Sequence, residues 1–247
     1  TPPQGALTAA PAAQHELQVF ESIASLARSS SRNPHIARGM ELLEGGEVAK
    51  AIGHLEDAVK LDPKSWEAHY WLGNAYTSQK LWDAAIREYR TSLRANPDCL
   101  EAHRELGTAY GLVGRWAEAI PHFEAVLRID PNSAAVHGVL GVAYKEDGQL
   151  HNAIREYEIA LHLNPHNSQC RINLGVAHYG LGVGHLSQGR AQEAIAEFQA
   201  ALRADPDCAW AQKGLGLAYR KQGRIPAAVR AYQAALRINP RDSEAHS

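Results

Sequence analysis

Apolar and small residues recur along the chain with the spacing of one helix face. Leu72, Gly73 and Tyr76 stand at positions i, i+1 and i+4, which places them on one side of a predicted helix. Ala85 and Tyr89, again four residues apart, form the corresponding stripe of a second helix. A proline eight residues later disfavours helical dihedral angles in the residue before it and ends that second helix. The pattern predicts a helical hairpin.

The hairpin pattern repeats through most of the chain. Its closing prolines lie 34, 34, 34, 41 and 34 residues apart, at Pro63, Pro97, Pro131, Pro165, Pro206 and Pro240. An alanine stands twelve residues before each proline, at Ala51, Ala85, Ala119, Ala153, Ala194 and Ala228. A glycine keeps the same rhythm outside the longer fifth repeat, at Gly39, Gly73, Gly107, Gly141, Gly175 and Gly216. These spacings predict six repeats, over residues 32–65, 66–99, 100–133, 134–167, 168–208 and 209–242.

The turn between the two helices of a repeat has its own signal. Five of the six repeats carry a glycine there, as expected for a helix that ends in the left-handed conformation: Gly46, Gly114, Gly148, Gly189 and Gly223. The second repeat has Lys80 instead.

A helix, a turn, a second helix and a proline in 34 residues resemble the tetratricopeptide repeat (TPR). The family pattern of Trp, Leu-Gly, Tyr, Ala, Phe and Pro corresponds here to His103, Leu106, Gly107, Tyr110, Ala119, Phe123 and Pro131. The resemblance extends over residues 32 to 242. It implies an all-α fold, a right-handed superhelical solenoid whose first helices line a concave groove. Because one hairpin cannot bury its apolar face alone, the stack is expected to fold as one cooperative unit.

The two ends of the chain depart from this pattern. Residues 1–31 hold a Pro/Ala-rich tail, predicted to be disordered, and an amphipathic helix over 15–28 with Leu17, Phe20, Ile23, Ala24 and Ala27 on one face. That helix is interpreted as a cap on the first repeat. The alternative is that it folds into a groove, its own or that of a second copy, and so supports self-association. From Ser243 a seventh repeat begins, which suggests that the natural protein continues beyond residue 247.

The fifth repeat is seven residues longer than the others, and the excess falls within residues 178–186. Seven residues are close to two helical turns, so the first helix could lengthen without turning its face. Gly180, Gly182 and Gly184 each weaken a helix by about 1 kcal/mol relative to alanine, which leaves a protruding loop as the alternative.

Charge and composition exclude several classes of partner. The chain has 25 basic and 27 acidic residues and a net charge of -2, so it has no electrostatic preference for nucleic acid or for an anionic membrane. No apolar stretch reaches the roughly 18 residues of a membrane-spanning helix, so direct membrane insertion is not expected. The sequence does not fix the compartment; the cytoplasm is favoured and the periplasm stays open.

The thirteen histidines are candidates for metal or acid–base chemistry. Four histidines lie 34 residues apart where the family usually has tryptophan: His35, His69, His103 and His137. Packed helices lie about 8–10 Å apart, too far for one metal ion to bridge neighbouring repeats, so packing is the interpretation. Nucleotide-binding, nucleophile and haem-attachment motifs are missing. We therefore expect no catalytic site, no metal and no cofactor.

The resemblance implies which residues face the groove. The candidate partner-binding residues are Tyr70, Trp71, Asn74, Arg104, Val142, Asn173, Val176, Trp210, Lys213 and Arg220. The residues in the middle of this set are apolar, and those of the last complete repeat are basic. For Trp71 the alternative interpretation is that its side chain packs between repeats. Of the positions of the chaperone-type carboxylate clamp, only Asn74 matches, so that ligand is disfavoured.

The function predicted is a non-catalytic scaffold that binds a partner protein or peptide in the groove and assembles or targets a complex. The alternative is a regulatory or targeting domain of a longer enzyme.

The three cysteines are predicted to be unpaired. Cys99 and Cys208 hold the same place three repeats apart, and at about 8–10 Å per layer they exceed the Cα separation of about 7 Å that a disulfide tolerates. Cys170 belongs to yet another helix. Titration of the unfolded, unreduced protein with a thiol reagent should therefore find three thiols. A single thiol would show that two of the cysteines had paired.

Overall fold

The computed structural model describes residues 33–239, which form helices joined by short turns and contain no strand. The predicted tail, the helix over 15–28 and the start of a seventh repeat lie outside these residues. The twelve helices of this part are α1 (Pro34–Glu44), α2 (Val48–Leu61), α3 (Trp66–Ser78), α4 (Trp82–Ala95), α5 (Leu100–Leu112), α6 (Trp116–Ile129), α7 (Ala134–Glu146), α8 (Leu150–Leu163), α9 (Ser168–Ser187), α10 (Ala191–Ala204), α11 (Ala209–Lys221) and α12 (Ile225–Ile238). The prediction of an all-α fold is confirmed.

Consecutive helices pair as hairpins, and the hairpins fall into two compact units. The first unit extends to Asp130 and holds α1 to α6; the second starts at Pro131 and holds α7 to α12. Within the first unit α2 packs on α3 and α4 packs on α5. Within the second unit α8 packs on α9 and α10 packs on α11. Each unit is therefore a short stack of three hairpins.

Local sequence sets where the helices begin and end. Ser65 and Asn167 precede helices and their side chains accept a hydrogen bond from the backbone N–H three residues on, at 3.2 and 3.0 Å. The five turn glycines have φ between 73° and 81°, the left-handed region that the sequence predicted. Lys80 takes the same conformation at φ 60°, which costs a non-glycine residue roughly 1–2 kcal/mol.

The core of each hairpin is built on a close approach of its two helices. In the second hairpin the ring of Tyr89 covers Gly73, where a Cβ atom would lie only 2.6 Å from Cε1 of the ring. The alanines that recur before each proline are all buried, which keeps the second helix narrow at the contact: Ala51, Ala85, Ala119, Ala153, Ala194 and Ala228. The glycine covered by a large side chain sixteen residues later recurs in the other hairpins as Gly39 and Leu55, Gly107 and Phe123, Gly141 and Tyr157, Gly182 and Phe198, and Gly216 and Tyr232.

The fifth hairpin has a longer first helix and no protruding loop. α9 is continuous over 20 residues, so the seven extra residues extend the helix. They also move the close contact. The ring of Phe198 covers Gly182, where a Cβ atom would lie 2.5 Å from Cε1 of the ring, whereas Gly175 lies against α10 near Ala201 and Asp205. Gly175, which the spacing assigned to the repeat, is therefore not the hairpin glycine.

Because of the extension, α9 packs against α8 and against α10 in two registers that differ by seven residues. Towards α8 it presents Cys170, Leu174 and Ala177, and towards α10 it presents Leu186 together with Gly182. The contact with α10 is thus displaced by seven residues, about 10.5 Å along the helix axis, while the same face stays in contact because seven residues are nearly two turns.

Two glycines of α9 provide a test of this register. Gly182→Ala should destabilise the protein by about 1–3 kcal/mol, because its new methyl group would overlap the Phe198 ring. Gly184→Ala should stabilise it by up to about 1 kcal/mol, because a Cβ there meets nothing within 4 Å and alanine favours the helix. Urea denaturation followed by circular dichroism measures both. Equal effects of the two substitutions would contradict the register.

Candidate partner-binding surface

The first helices of the hairpins in the second unit carry exposed apolar side chains. α7 packs against α9, and α9 packs against α11. Val139 of α7 and Ile172, Val176 and Val183 of α9 are each 44% exposed; we call these four residues the apolar row. Ile172, Val176 and Val183 stand at i, i+4 and i+11 and so share one face of α9. Val142, half-buried, packs against the core between α8 and α9.

A tryptophan and basic side chains lie on α11, the next first helix. Trp210 is 57% exposed and stands six residues before Gly216, as Val176 stands six residues before Gly182, so both occupy the same place in their hairpins. Nζ of Lys213 lies 4.9 Å from the centre of the Trp210 ring, within the range of a cation–π interaction. Arg220 is exposed at the far end of the helix. Basic charge therefore lies on the helix that packs against α9.

The predicted site residues of the first unit are mostly held by contacts inside the protein. Tyr70 is 6% exposed, between Trp71 and Tyr89. Trp71 is half-buried against the apolar clusters that join the first two hairpins, as the alternative interpretation had it. The side-chain oxygen of Asn74 accepts a hydrogen bond of 2.7 Å from the Tyr89 hydroxyl, and Arg104 pairs with the neighbouring Glu105 at 3.0 Å.

In the second unit the predicted residues lie on one set of helices. Val176, Trp210 and Arg220 are exposed, while Val142 and Lys213 are half-buried. Asn173 is half-buried and its side-chain oxygen accepts from Gln169 at 3.1 Å. Sequence reasoning missed Val183, because that residue falls inside the extension. The sequence signal that could have identified Val183 is its spacing of seven residues, nearly two helical turns, from Val176.

Three parts of the sequence match the model of the tetratricopeptide repeat: residues 36–90, 81–134 and 179–243, together more than half of the chain. The chain belongs to the tetratricopeptide repeat family. The third match starts three residues before Gly182, as the first starts three residues before Gly39, which agrees with the displaced register of α9. TPR proteins are generally non-catalytic scaffolds, and the family match supports a protein–protein interaction scaffold for this chain.

Solved structures with the same fold include two of MamA and one of YrrB. A crystal structure of MamA is 24% identical, with a TM-score of 0.54 over 74% of this chain and 96% of that one. MamA from Desulfovibrio magneticus is 20% identical, with a TM-score of 0.55 over 70% and 94%. YrrB, described as a TPR protein with an unusual peptide-binding site, is 21% identical, with a TM-score of 0.56 over 78% and 95%. No curated protein matches the chain.

Histidines replace the usual TPR tryptophan and bridge the two helices of a hairpin. Nδ1 of His69 lies 2.6 Å from a carboxylate oxygen of Glu88, and its Nε2 lies 3.2 Å from the carbonyl of Pro63. The hydrogen bond to Glu88 raises the pKa of His69 above 6.5. His137 and Glu156 form the same pair at 2.7 Å, as do His178 and Glu197. The partner is always nineteen residues ahead, which makes His178, in the shifted register, a further member of the ladder.

The third hairpin departs from this bridge. His122 stands in place of the glutamate, and its Nδ1 lies 2.9 Å from Nδ1 of His103. Since Nε2 of His103 donates to the carbonyl of Pro97 at 2.9 Å, its Nδ1 accepts, and His122 is the donor. Burial, with the charges of His103 and Arg90, lowers the pKa of His122 to about 4. His122 is therefore neutral at neutral pH.

Metal-ligating side chains are dispersed, and thiols are buried, in residues 33–239. Within that range no three His, Cys, Asp or Glu side chains are grouped closely enough to hold a metal ion. Cys99, Cys170 and Cys208 are free and buried, and burial raises the pKa of each thiol, that of Cys99 to about 12. In the same range, every helix is too short or too polar to cross a bilayer.

The His122 pair predicts a loss of stability in acid. A histidine has a pKa near 6.5 when unfolded, so with a folded value of about 4 the unfolded state binds the proton more readily. This contribution is complete above pH 6.5 and falls as the pH is lowered towards 4. Between pH 7 and 4.5 the wild type should thus lose more unfolding free energy than His122→Gln, as measured by urea denaturation. The exposed His151→Gln variant should behave like the wild type, and identical profiles for all three would contradict the assignment.

Proposed function

We propose that α7, α9 and α11 of the second unit form a docking surface for a peptide segment of a partner protein. The observation that carries the proposal is the apolar row, four aliphatic side chains left partly in water beside the exposed ring of Trp210. Burying such surface contributes about 25 cal/mol per Å². Exposed apolar side chains grouped on adjoining helices are typical of a binding site.

The length of the row suggests the size of the segment that it takes. From Ile172 to Val183 the row extends eleven residues along α9, about 16 Å at 1.5 Å per residue. That length corresponds to about five residues of an extended peptide at 3.3 Å each, or to three turns of a helix. The lengthened α9 is thus the element that makes room for such a segment.

The charges on α11 suggest an orientation for the bound segment. Lys213 and Arg220 are expected to face acidic residues of the partner, with the apolar part of the segment on α9. Exposed ion pairs contribute only about 0–1 kcal/mol, so these residues would set orientation and association rate more than affinity. Trp210 supplies the kind of side chain that dominates binding energy in interfaces.

The comparisons support the same ligand class. YrrB, which shares the fold, is described as having a peptide-binding site. Peptide binding by the present chain stays a proposal. Trp71 is a poor probe for it, because its packing between hairpins would couple any loss of binding to a loss of stability.

The test is selection of ligands from a displayed library of random twelve-residue peptides, with the full chain as bait. Selected peptides should combine apolar residues with acidic residues towards one end. Val176→Glu should weaken their binding by at least about tenfold, because a buried carboxylate without a partner costs several kcal/mol. Fluorescence anisotropy of the labelled peptides measures the affinity.

Val229→Glu is the matched control. Val229 is 48% exposed, much like Val176, but lies on α12, a second helix. This variant should bind the selected peptides as the wild type does. Equal loss in both variants, or full binding by Val176→Glu, would place the peptide site elsewhere.

A further inference from the structure

The second helix of the second hairpin carries a pocket surrounded by arginines. Arg87, Arg90, Thr91 and Arg94 of α4 line a cavity of about 180 Å³. They stand at i, i+3, i+4 and i+7, so all four share one face of the helix. The three arginines are exposed. The face belongs to the first unit and to a second helix, and is therefore distinct from the surface on α7, α9 and α11.

Two carboxylates near α4 are engaged with other groups. None of the three arginines forms an ion pair within the described part of the chain. Glu88, which follows Arg87 in sequence, pairs with His69 at 2.6 Å. Glu56 accepts a hydrogen bond of 3.1 Å from Tyr76. Three guanidinium groups thus line one cavity, and none of them forms an ion pair with a carboxylate of the described residues.

Arg90 breaks the pattern of the other hairpins. At its position they carry an acid or an amide: Glu56, Glu124, Glu158, Gln199 and Gln233. In two of them the residue bonds a tyrosine of the next hairpin, Glu56 with Tyr76 at 3.1 Å and Gln199 with Tyr219 at 3.4 Å. Gln199 donates to its tyrosine, as a guanidinium could, but within the described residues no hydrogen bond joins Arg90 to Tyr110, the corresponding tyrosine. A position that departs from a repeated structural contact is a candidate for function.

His122, in the neighbouring third hairpin, is a second position that lacks an acidic side chain. It replaces the glutamate that bridges to histidine in three other hairpins, and the charge of Arg90 acts on it. On α4 and α6, two places that hold glutamate in three other hairpins therefore lack that negative charge. In a chain of net charge -2, the three arginines of α4 are a local concentration of positive charge.

We propose that Arg87, Arg90 and Arg94 bind a compact anion that carries phosphoryl groups. Guanidinium groups are planar and donate two parallel hydrogen bonds to phosphoryl oxygens, a geometry that lysine lacks. Arg87 and Arg94 are seven residues apart, about 10.5 Å along the helix. That spread suits an anion with more than one phosphoryl group better than a single phosphate.

The test is titration calorimetry of the full chain with pyrophosphate, in a phosphate-free buffer whose ionic strength is held constant with sodium chloride. The expected result is one saturable site per chain. Arg90→Glu should lower the affinity by about tenfold or more, because it removes charge-assisted hydrogen bonds and adds a repelling charge. Glutamate is the residue of three other hairpins at this place, so the fold should tolerate it. Arg90→Gln, with the residue of the last two hairpins, should also weaken binding, though less.

Arg155→Glu is the control for general charge effects. Arg155 is exposed on α8 at the position that corresponds to Arg87, and its substitution changes the net charge by the same amount. This variant should keep the affinity within about twofold, because Arg155 is not among the residues that line the cavity. An absence of saturable heat, or equal weakening by Arg90→Glu and Arg155→Glu, would overturn the proposal.

Discussion

The close contact between a glycine of the first helix and a large side chain of the second is the interaction on which the rest of this protein depends. Without a Cβ atom at Gly73, the ring of Tyr89 lies directly on the helix backbone, and its hydroxyl reaches Asn74 and Thr77. The glycine weakens its helix by about 1 kcal/mol, and burial of the ring offsets this loss. The contact fixes which residues of the hairpin face inwards, and therefore which ones remain for the surface.

The same contact explains how the fifth hairpin accommodates seven extra residues. Phe198 covers Gly182, so α10 packs further along α9, and the first turns of α9 remain in place against α8. A helix that packs against two neighbouring helices in two different registers must be longer than either contact alone requires. The additional length carries Val183, so an insertion that leaves the repeat core intact adds a residue to the apolar row.

Because the hairpins repeat the same contacts, a position that lacks one of these contacts is easily recognised. Three histidines bond a glutamate nineteen residues ahead, whereas His103 pairs with His122 and His35 lies against His54, so the negative charge of the glutamate is missing in these two hairpins. Arg90 is a similar change, at a position where the residue of two other hairpins forms a hydrogen bond with a tyrosine of the next repeat. Because the repeated contacts carry the fold, single positions such as these could diverge at a small cost in stability.

The sequence by itself determined that the chain folds as helical hairpins, because this follows from local properties: the period of apolar positions, the prolines and the turn glycines. It also indicated Val176 and Trp210 as candidates for the surface. Only the tertiary structure decided that Gly182 and not Gly175 meets the aromatic ring, since a shift of seven residues keeps the same helix face and the pattern cannot distinguish the two registers. The tertiary structure likewise decided that Tyr70 and Trp71 pack between hairpins. The exposure of a side chain depends on which neighbouring helix covers it, and the periodicity of one segment of the chain does not contain that information.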